Sequence, residues 1–575
     1  MRSLEQVRKN IPLLLFAILL LILILCPFGM IFAKAVTIND RLDFSLAWQT
    51  VVDQSNLTTI FNSLILGISV VALSTLIAAP LAYLTTRTQL ARHRWLDIVL
   101  LIPFMTPPYI ASMGWILFMQ KRGLFQQLFP FTGSFSERFF SFFGLVLVMS
   151  LHVFPFLLTI LKNALLNIST SLEESGAVFG GTFGYRLRRI LLPLLTGNYA
   201  IGALLVFVKT LSEYGTPATL GRRINFYVLT TDIHRYATTA PVSFGKAASL
   251  SSVLVIICLG MWLLQNYVTT KRSYRLVGGK GVRRNFKPLR GGQLVSGWAY
   301  TILILLVSIG VPYFSVIATS LIKLRGYGLA AGNFTFQHYI DLFNENPKGR
   351  QALGNSLFLA IAAASIAAIL GTLLVVVLRQ STLKSKKVVE AVGLLPEMMP
   401  GIVLVLGIML FWNRIYKLVP LYNTMGIMVL AYVVLFLPYS IQYVTSSFSQ
   451  INDSLLQAGR TFGGNPGYVF TRITLPLIFK GVITGWIMTF IISFRELVTA
   501  SLIAPPNTLV ISTFIVREFE QGSVSVGMAM AVICVLFSTA TLIPLNKWVR
   551  ILRQCASYLI AVILAAPRMN RRRNR

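Results

Sequence analysis

Apolar residues run along this chain in stretches long enough to cross a hydrocarbon core as helices, which takes about 20 residues each. Twelve windows meet that length: 11–33, 59–85, 96–119, 142–161, 192–215, 247–267, 297–321, 355–378, 390–412, 424–446, 478–503 and 524–545. Polar and basic segments separate them. The pattern predicts an all-α polytopic membrane protein of about twelve transmembrane helices. The first window also admits a cleaved signal peptide, with Arg8 and Lys9 as its basic end and Ala33-Lys34-Ala35 as the cleavage-like site. Its apolar run exceeds the roughly 7–15 residues of such peptides, so it reads as a retained span.

The windows fall into two sets of six because the chain is duplicated. Asn62-Ser63-Leu64 aligns with Asn355-Ser356-Leu357, and Pro103 and Pro107 align with Pro396 and Pro400, all 293 residues apart. From Pro155 and Pro438 onward the offset is 283, because the loop near 120–141 is about ten residues longer than its counterpart near 413–423. Six spans per half place equivalent segments in the same orientation, a parallel repeat about an axis along the membrane normal. Prolines at matching depths predict matching bends. The boundaries that follow are a first helix and external loop (1–57), a first repeat domain (58–267), a linker (268–295), a seventh helix and loop (296–354), a second repeat domain (355–546) and a basic tail (547–575).

Composition agrees: with 55% hydrophobic and 12% charged residues, a chain of this length could not cover a soluble surface. The net charge of +33 would suggest nucleic acid in a soluble protein. Here the basic residues lie between apolar spans, where they fix orientation, and no nucleic-acid partner is expected. With the amino terminus inside, cytoplasmic segments carry about 32 Lys and Arg and the other side about 16, as the positive-inside rule requires. Both termini are then cytoplasmic. The Gly-rich basic linker reads as a tether and orientation signal, and Ser557–Pro567, too short to span, as an interfacial patch. The four cysteines show no metal spacing and no hydrolase motif occurs. The chain also lacks a G-x-x-x-x-G-K-[ST] loop, so it is not expected to be an enzyme, and any ATP hydrolysis belongs to a partner.

Two polar breaks carry the most specific signal. Glu174–Pro193, ESGAVFGGTFGYRLRRILLP, aligns without gaps on Gln457–Pro476, QAGRTFGGNPGYVFTRITLP. Each reads as a short helix, a glycine turn, a basic patch and a proline-headed span, since glycine permits the reversal and proline suits a first helical turn. This resembles the cytoplasmic E-A-A, G, I-x-L-P loop of binding-protein-dependent ABC importer permeases. Glu174, Gly176, Gly180, Ile190 and Pro193 match in the first copy (loop 163–193), and Gln457, Gly459, Gly463, Ile473 and Pro476 in the second (loop 447–476). The resemblance implies a type I importer (MetI-like) fold in which each half has a core of about five helices plus one extra at its start. It also implies a bacterial inner-membrane location. The implied partners are an ABC ATPase dimer at the cytoplasmic face, which binds ATP and Mg, and an extracytoplasmic solute-binding protein; this chain itself has no cofactor. Each short helix would sit in a groove of one ATPase, with Glu174 capping or salt-bridging there. Gln457 lacks that charge, which sets the two couplings apart. SEYGTPATLG (212–221), FYVLTTDIHR (226–235) and ELVTASLIAPP (496–506) are similar to fused ferric-iron permeases. Thiamine, polyamine and phosphonate or sugar-phosphate permeases share the architecture.

Four ionisable residues fall inside predicted spans: Lys209 and Glu213 in the fifth, Arg495 and Glu496 in the eleventh. Glu213 and Glu496 correspond, and Thr216 and Thr499 follow each at the same distance. One reading pairs Lys209 with Glu213 at i, i+4 and lets Arg495 bridge to the other half. The other places these side chains on the translocation pathway, since charge in hydrocarbon is costly and is usually functional. His152, whose counterpart is Leu435, reads as a hydrogen-bonded packing residue. An ion-coupled secondary transporter of two six-helix repeats is the competing class, but it does not predict duplicated elbows; a channel or membrane enzyme has no motif in its favour.

Overall fold

The computed structural model describes residues 2–38, 41–271, 286 and 288–542. Most of the expected tether and the whole basic tail with its apolar patch lie outside the described residues. Among those described, ten helices are long and apolar enough to span: Asn10–Ala35, Gln54–Arg87, Phe142–Asn167, Phe183–Ser212, Phe244–Val268, Gly292–Leu321, Pro347–Gln380, Met425–Phe448, Pro466–Phe494 and Val524–Thr541. They are the first, second, fourth to eighth and tenth to twelfth of the predicted series. The protein is thus an all-α polytopic membrane protein, with one small hairpin pairing Thr37–Ile38 with Arg41–Leu42 outside the spans.

The third and ninth windows are broken rather than gently bent. Trp95–Met105 meets Pro108–Met119 at 89°, and Lys386–Met398 meets Gly401–Arg414 at 112°. Proline forces the residue before it into extended backbone, and Thr106 and Met399 have ψ of 132° and 148°. Pro107 also has no N–H for the carbonyl four residues back, that of Pro103. His152 Nδ1 lies 3.0 Å from this oxygen and fills the missing donor's place.

Elsewhere proline is absorbed within a helix. Wide π-turns at Leu21–Leu25, Leu187–Leu191, Leu306–Gly310 and Phe470–Thr474 each end two residues before a proline, namely Pro27, Pro193, Pro312 and Pro476. A π-turn shifts the local hydrogen-bond register where the proline ring would strike the carbonyl of residue i−4, so the span continues.

The first span of each half packs across to the other half as well as on its own: Cys26–Ala35 lies against Gly401–Arg414 of the second half and Phe244–Lys271 of the first, and Val311–Leu321 against Pro108–Met119 of the first half and Val524–Leu542 of the second. Ile24 and Ile31 of the first span are fully buried in one apolar core with Ile402–Leu406 and Val433 of the second half. Ile304 and Val311 of the seventh span join the first-half core built from Val70, Phe154 and Leu157. Glycine makes both crossings close: a Cβ on Gly407 would overlap the Pro27 carbonyl, and one on Gly114 would come 2.7 Å from the Pro312 carbonyl. Gly114 and Gly407 are themselves equivalent positions of the repeat.

Candidate functional site

The two elbows have the same construction. Helix Thr170–Val178 is capped by Ser169, whose Oγ accepts from the Ser171 N–H, and helix Asp453–Thr461 by Asn452. Each ends at a glycine in the left-handed region, Gly180 at φ +79° and Gly463 at φ +81°. The next glycine closes the turn: the Gly181 N–H donates to the Gly176 carbonyl at 2.8 Å, and that of Gly464 to Gly459 at 3.0 Å, the Schellman pattern. The short helix then folds back on the span that follows. A Cβ on Gly176 would come 2.7 Å from Ile190 Cδ1, and one on Gly459 would overlap Ile473 Cδ1. Glycine and isoleucine of the motif are therefore two sides of one contact. Pro193 and Pro476 stand at the second position of the helices below it.

Glu174 and Gln457 are exposed at equivalent places. Sequence reasoning missed Phe179 and Phe462, which are each 90% exposed at the tips of the elbows. Their signal was present: the same large apolar residue in both copies of a polar loop. The elbows also differ. In the first, buried Arg87 of the second span pairs with Glu173 at 2.8 Å and donates to the Ile168 carbonyl at 2.9 Å. At the equivalent places the second has Gln380 and Leu456.

Glu213 and Glu496 are not within helices. The fifth span ends at Ser212 and the eleventh at Phe494, and each carboxylate folds onto the chain that follows. Glu213 accepts from the Thr216 N–H at 3.1 and 3.0 Å through its two oxygens; Glu496 accepts from Val498 and Thr499 at 2.9 and 3.2 Å. Each caps a helical restart. No ion pair joins Lys209 to Glu213: the ammonium instead lies 5.9 Å from the Phe156 ring centroid. Nor does Arg495 bridge to a carboxylate; its Nη1 is buried without a hydrogen-bond partner. The simple neutralising pairs expected from spacing do not form.

Paired struts hold both breaks. The Thr230 hydroxyl donates to the Glu213 carbonyl at 2.9 Å, and that of Ser512 to Glu496 at 2.5 Å. Asn62 and Ser63 of the second span secure the start of helix Leu229–Thr238: Nδ2 donates to the Tyr227 carbonyl at 3.1 Å and Oγ accepts from the Leu229 N–H at 2.8 Å. Asn355 and Ser356 secure helix Ile511–Glu520 through Leu509 and Ile511, both at 2.8 Å. Residues that the sequence marked only as signs of duplication are thus the supports of the break.

Two cavities meet there. One of about 500 Å³ extends from Glu213, Glu496 and Arg495 along Lys209 and Leu205 toward the elbow side, with His152 in its wall. The other, about 520 Å³, lies beyond the break on the far side, between helices Leu229–Thr238 and Ile511–Glu520. Tyr214 and Leu497, equivalent residues directly after the two glutamates, line both cavities. In the far cavity, burial lowers His234 to a pKa of about 4, so the ring is neutral near pH 7. Among the described residues, no group of three His, Cys, Asp or Glu is placed to hold a metal ion.

A duplicated bundle with elbows on one side and a paired break between stacked cavities defines a permease, and comparisons with known proteins give its class. Residues 360–555 match the family of binding-protein-dependent transport system inner membrane components, and the chain as a whole is similar to double-length ABC importer permeases of the multi-pass inner-membrane type. It is 25% identical to the ferric transport system permease protein FbpB of Actinobacillus pleuropneumoniae over 499 residues, covering 84% of this chain and 70% of that one. Putative ferric transport system permease protein FbpB 1 of Haemophilus influenzae is 26% identical over 77% of this chain and 69% of its own. The spermidine/putrescine permease PotC of Haemophilus influenzae, also 26% identical, matches 40% of this chain and 88% of its own.

Proposed function

We propose that this chain is the membrane permease of a ferric-iron importer, loaded by an extracytoplasmic binding protein and driven by a separate ATPase dimer at the cytoplasmic face. One observation carries the choice of solute. The relatives named for ferric transport align across both halves, whereas the polyamine and phosphonate permeases align over 40% of the chain. The elbows face the cytoplasm, as do both termini. ATP and Mg²⁺ bind the partner, and this chain turns over no substrate of its own.

In this mechanism each elbow helix, with Glu174 or Gln457 and the exposed phenylalanine at its tip, seats on one ATPase. Closure of the ATPase dimer moves the elbows. The Gly176–Ile190 and Gly459–Ile473 contacts pass that motion to the Pro193 and Pro476 spans, because a packed helix transmits displacement that a loop would absorb. Those spans end just before Glu213 and Glu496, so their movement separates or joins the two capped turns. Tyr214 and Leu497 form the partition between the cavities, and Lys209, Glu213, Arg495 and Glu496 line the path below it.

The test is uptake of radioactive iron by cells carrying this permease with its ATPase and binding protein. ATP-dependent accumulation that disappears when the ATPase is inactivated is expected. Uptake at full rate without the ATPase would indicate an ion-coupled carrier instead, and accumulation of a polyamine or phosphonate but no iron would overturn the choice of solute.

A further inference from the structure

The far cavity differs in chemistry from the path below it. Its walls carry three guanidinium groups, Arg222, Arg235 and Arg517, and one carboxylate, Glu520. Arg235 and Arg517 come from equivalent helices of the two halves, so the site is assembled only when the halves meet. Each is fixed by an acid outside the lining. Asp232, 2% exposed, holds Arg235 at 3.0 Å through one oxygen and accepts from the Thr59 hydroxyl at 2.6 Å through the other. Glu518 holds Arg517 at 2.6 Å and accepts from the Ser523 N–H at 3.0 Å. Both oxygens of each anchor are thereby engaged within its own half. A guanidinium has five N–H donors, and one anchoring contact leaves most of them available. Arg222, 69% exposed at its side chain, reaches across to Glu520 of the other half at 3.7 Å.

A hard trivalent cation would favour clustered carboxylate oxygens, and the far cavity offers one carboxylate, Glu520, against three guanidinium groups. Fixed guanidinium forks match the two oxygens of a carboxylate or phosphate. We propose that the far cavity is an oxyanion site, and that the solute enters it as an anion, recognised through carboxylate or phosphate oxygens. On the iron reading, on which this substrate class rests, the ion arrives wrapped in an anionic chelator and not as a bare cation. The same chemistry would also receive a free phosphonate.

Binding to the full-length permease in lipid nanodiscs, measured by titration calorimetry with three probes, tests this. The probes are ferric citrate, 2-aminoethylphosphonate and hexaamminecobalt(III), an inert trivalent cation. An anionic probe is expected to bind and the cobalt complex not to. Affinity for the anion should fall at least tenfold in R235Q/R517Q, with most of it retained in R235K/R517K. Because R235Q leaves Asp232 without its cation, D232N/R235Q is the companion variant, and it should lose the anion equally. Aminoethylphosphonate binding without ferric citrate binding would keep the oxyanion site and remove iron as the solute. Preferential binding of hexaamminecobalt(III), no binding of either anionic probe, or undiminished anion affinity in both glutamine variants would overturn the proposal.

Discussion

At the scale of single residues, the elbow motif consists of contacts with no room to spare. Gly459→Val places branched carbons where Ile473 Cδ1 already sits, and overpacking of this kind costs about 1–3 kcal/mol. Uptake should fall at least tenfold with the protein still in the membrane, and the added change Ile473→Ala should recover part of it. Full uptake by the single variant would disprove the packing role. Gly463→Leu acts differently: its φ of +81° costs a side chain about 1–2 kcal/mol, with nothing else within reach of the new Cβ. ATPase activity should then continue while transport drops, seen as more ATP hydrolysed per solute moved. For the paired acids, Glu496→Ala removes the cap on Val498 and Thr499 and reduces uptake at normal membrane level; Glu496→Gln, whose side-chain oxygen still accepts both N–H groups, should keep more. Equal loss in both would mean that charge, not capping, matters there.

The elements show how far pattern reasoning reaches. Hydropathy and the repeat made the spans, the elbows and the proline bends legible, because each depends on residues close together in sequence. The acids were misplaced inside helices, since an apolar window has no feature that marks where hydrogen bonding stops at Ser212 or Phe494. The i, i+4 spacing of Lys209 and Glu213 has no meaning once the helix ends between them. Nor did the repeat reveal that the elbows are fastened unequally. Breaking a buried ion pair costs about 3–5 kcal/mol, so Glu173→Leu, which leaves Arg87 unpaired, should loosen the first elbow alone. Hydrogen exchange would then rise over 170–178 and stay unchanged over 453–461. The double variant R87M/E173L, with no stranded charge, should restore much of the protection.

For the whole molecule, the first and seventh spans, each packed against both halves, turn two tandem halves into one interlocked body. Separately expressed halves, divided between residues 272 and 285, should therefore co-purify and transport. Gly407→Leu, which forces the first span away from the second half, should reduce that recovery severalfold; halves that assemble equally well with this substitution would show that the crossing contributes little. The same interlock places Arg235 beside Arg517 and Tyr214 beside Leu497, so cavity and partition exist only in the joined molecule.

The sequence by itself determined the membrane class, the twofold repeat, the importer-type elbows and the candidate residues within them, because chain hydropathy, glycine turns and proline positions act over a few residues. Only the tertiary structure decided that each extra span would join the two halves, that the two acids cap broken helices, and that three arginines share a cavity. Those outcomes depend on surfaces far apart in the chain fitting at close range, and neither periodicity nor spacing along one strand of sequence encodes that fit.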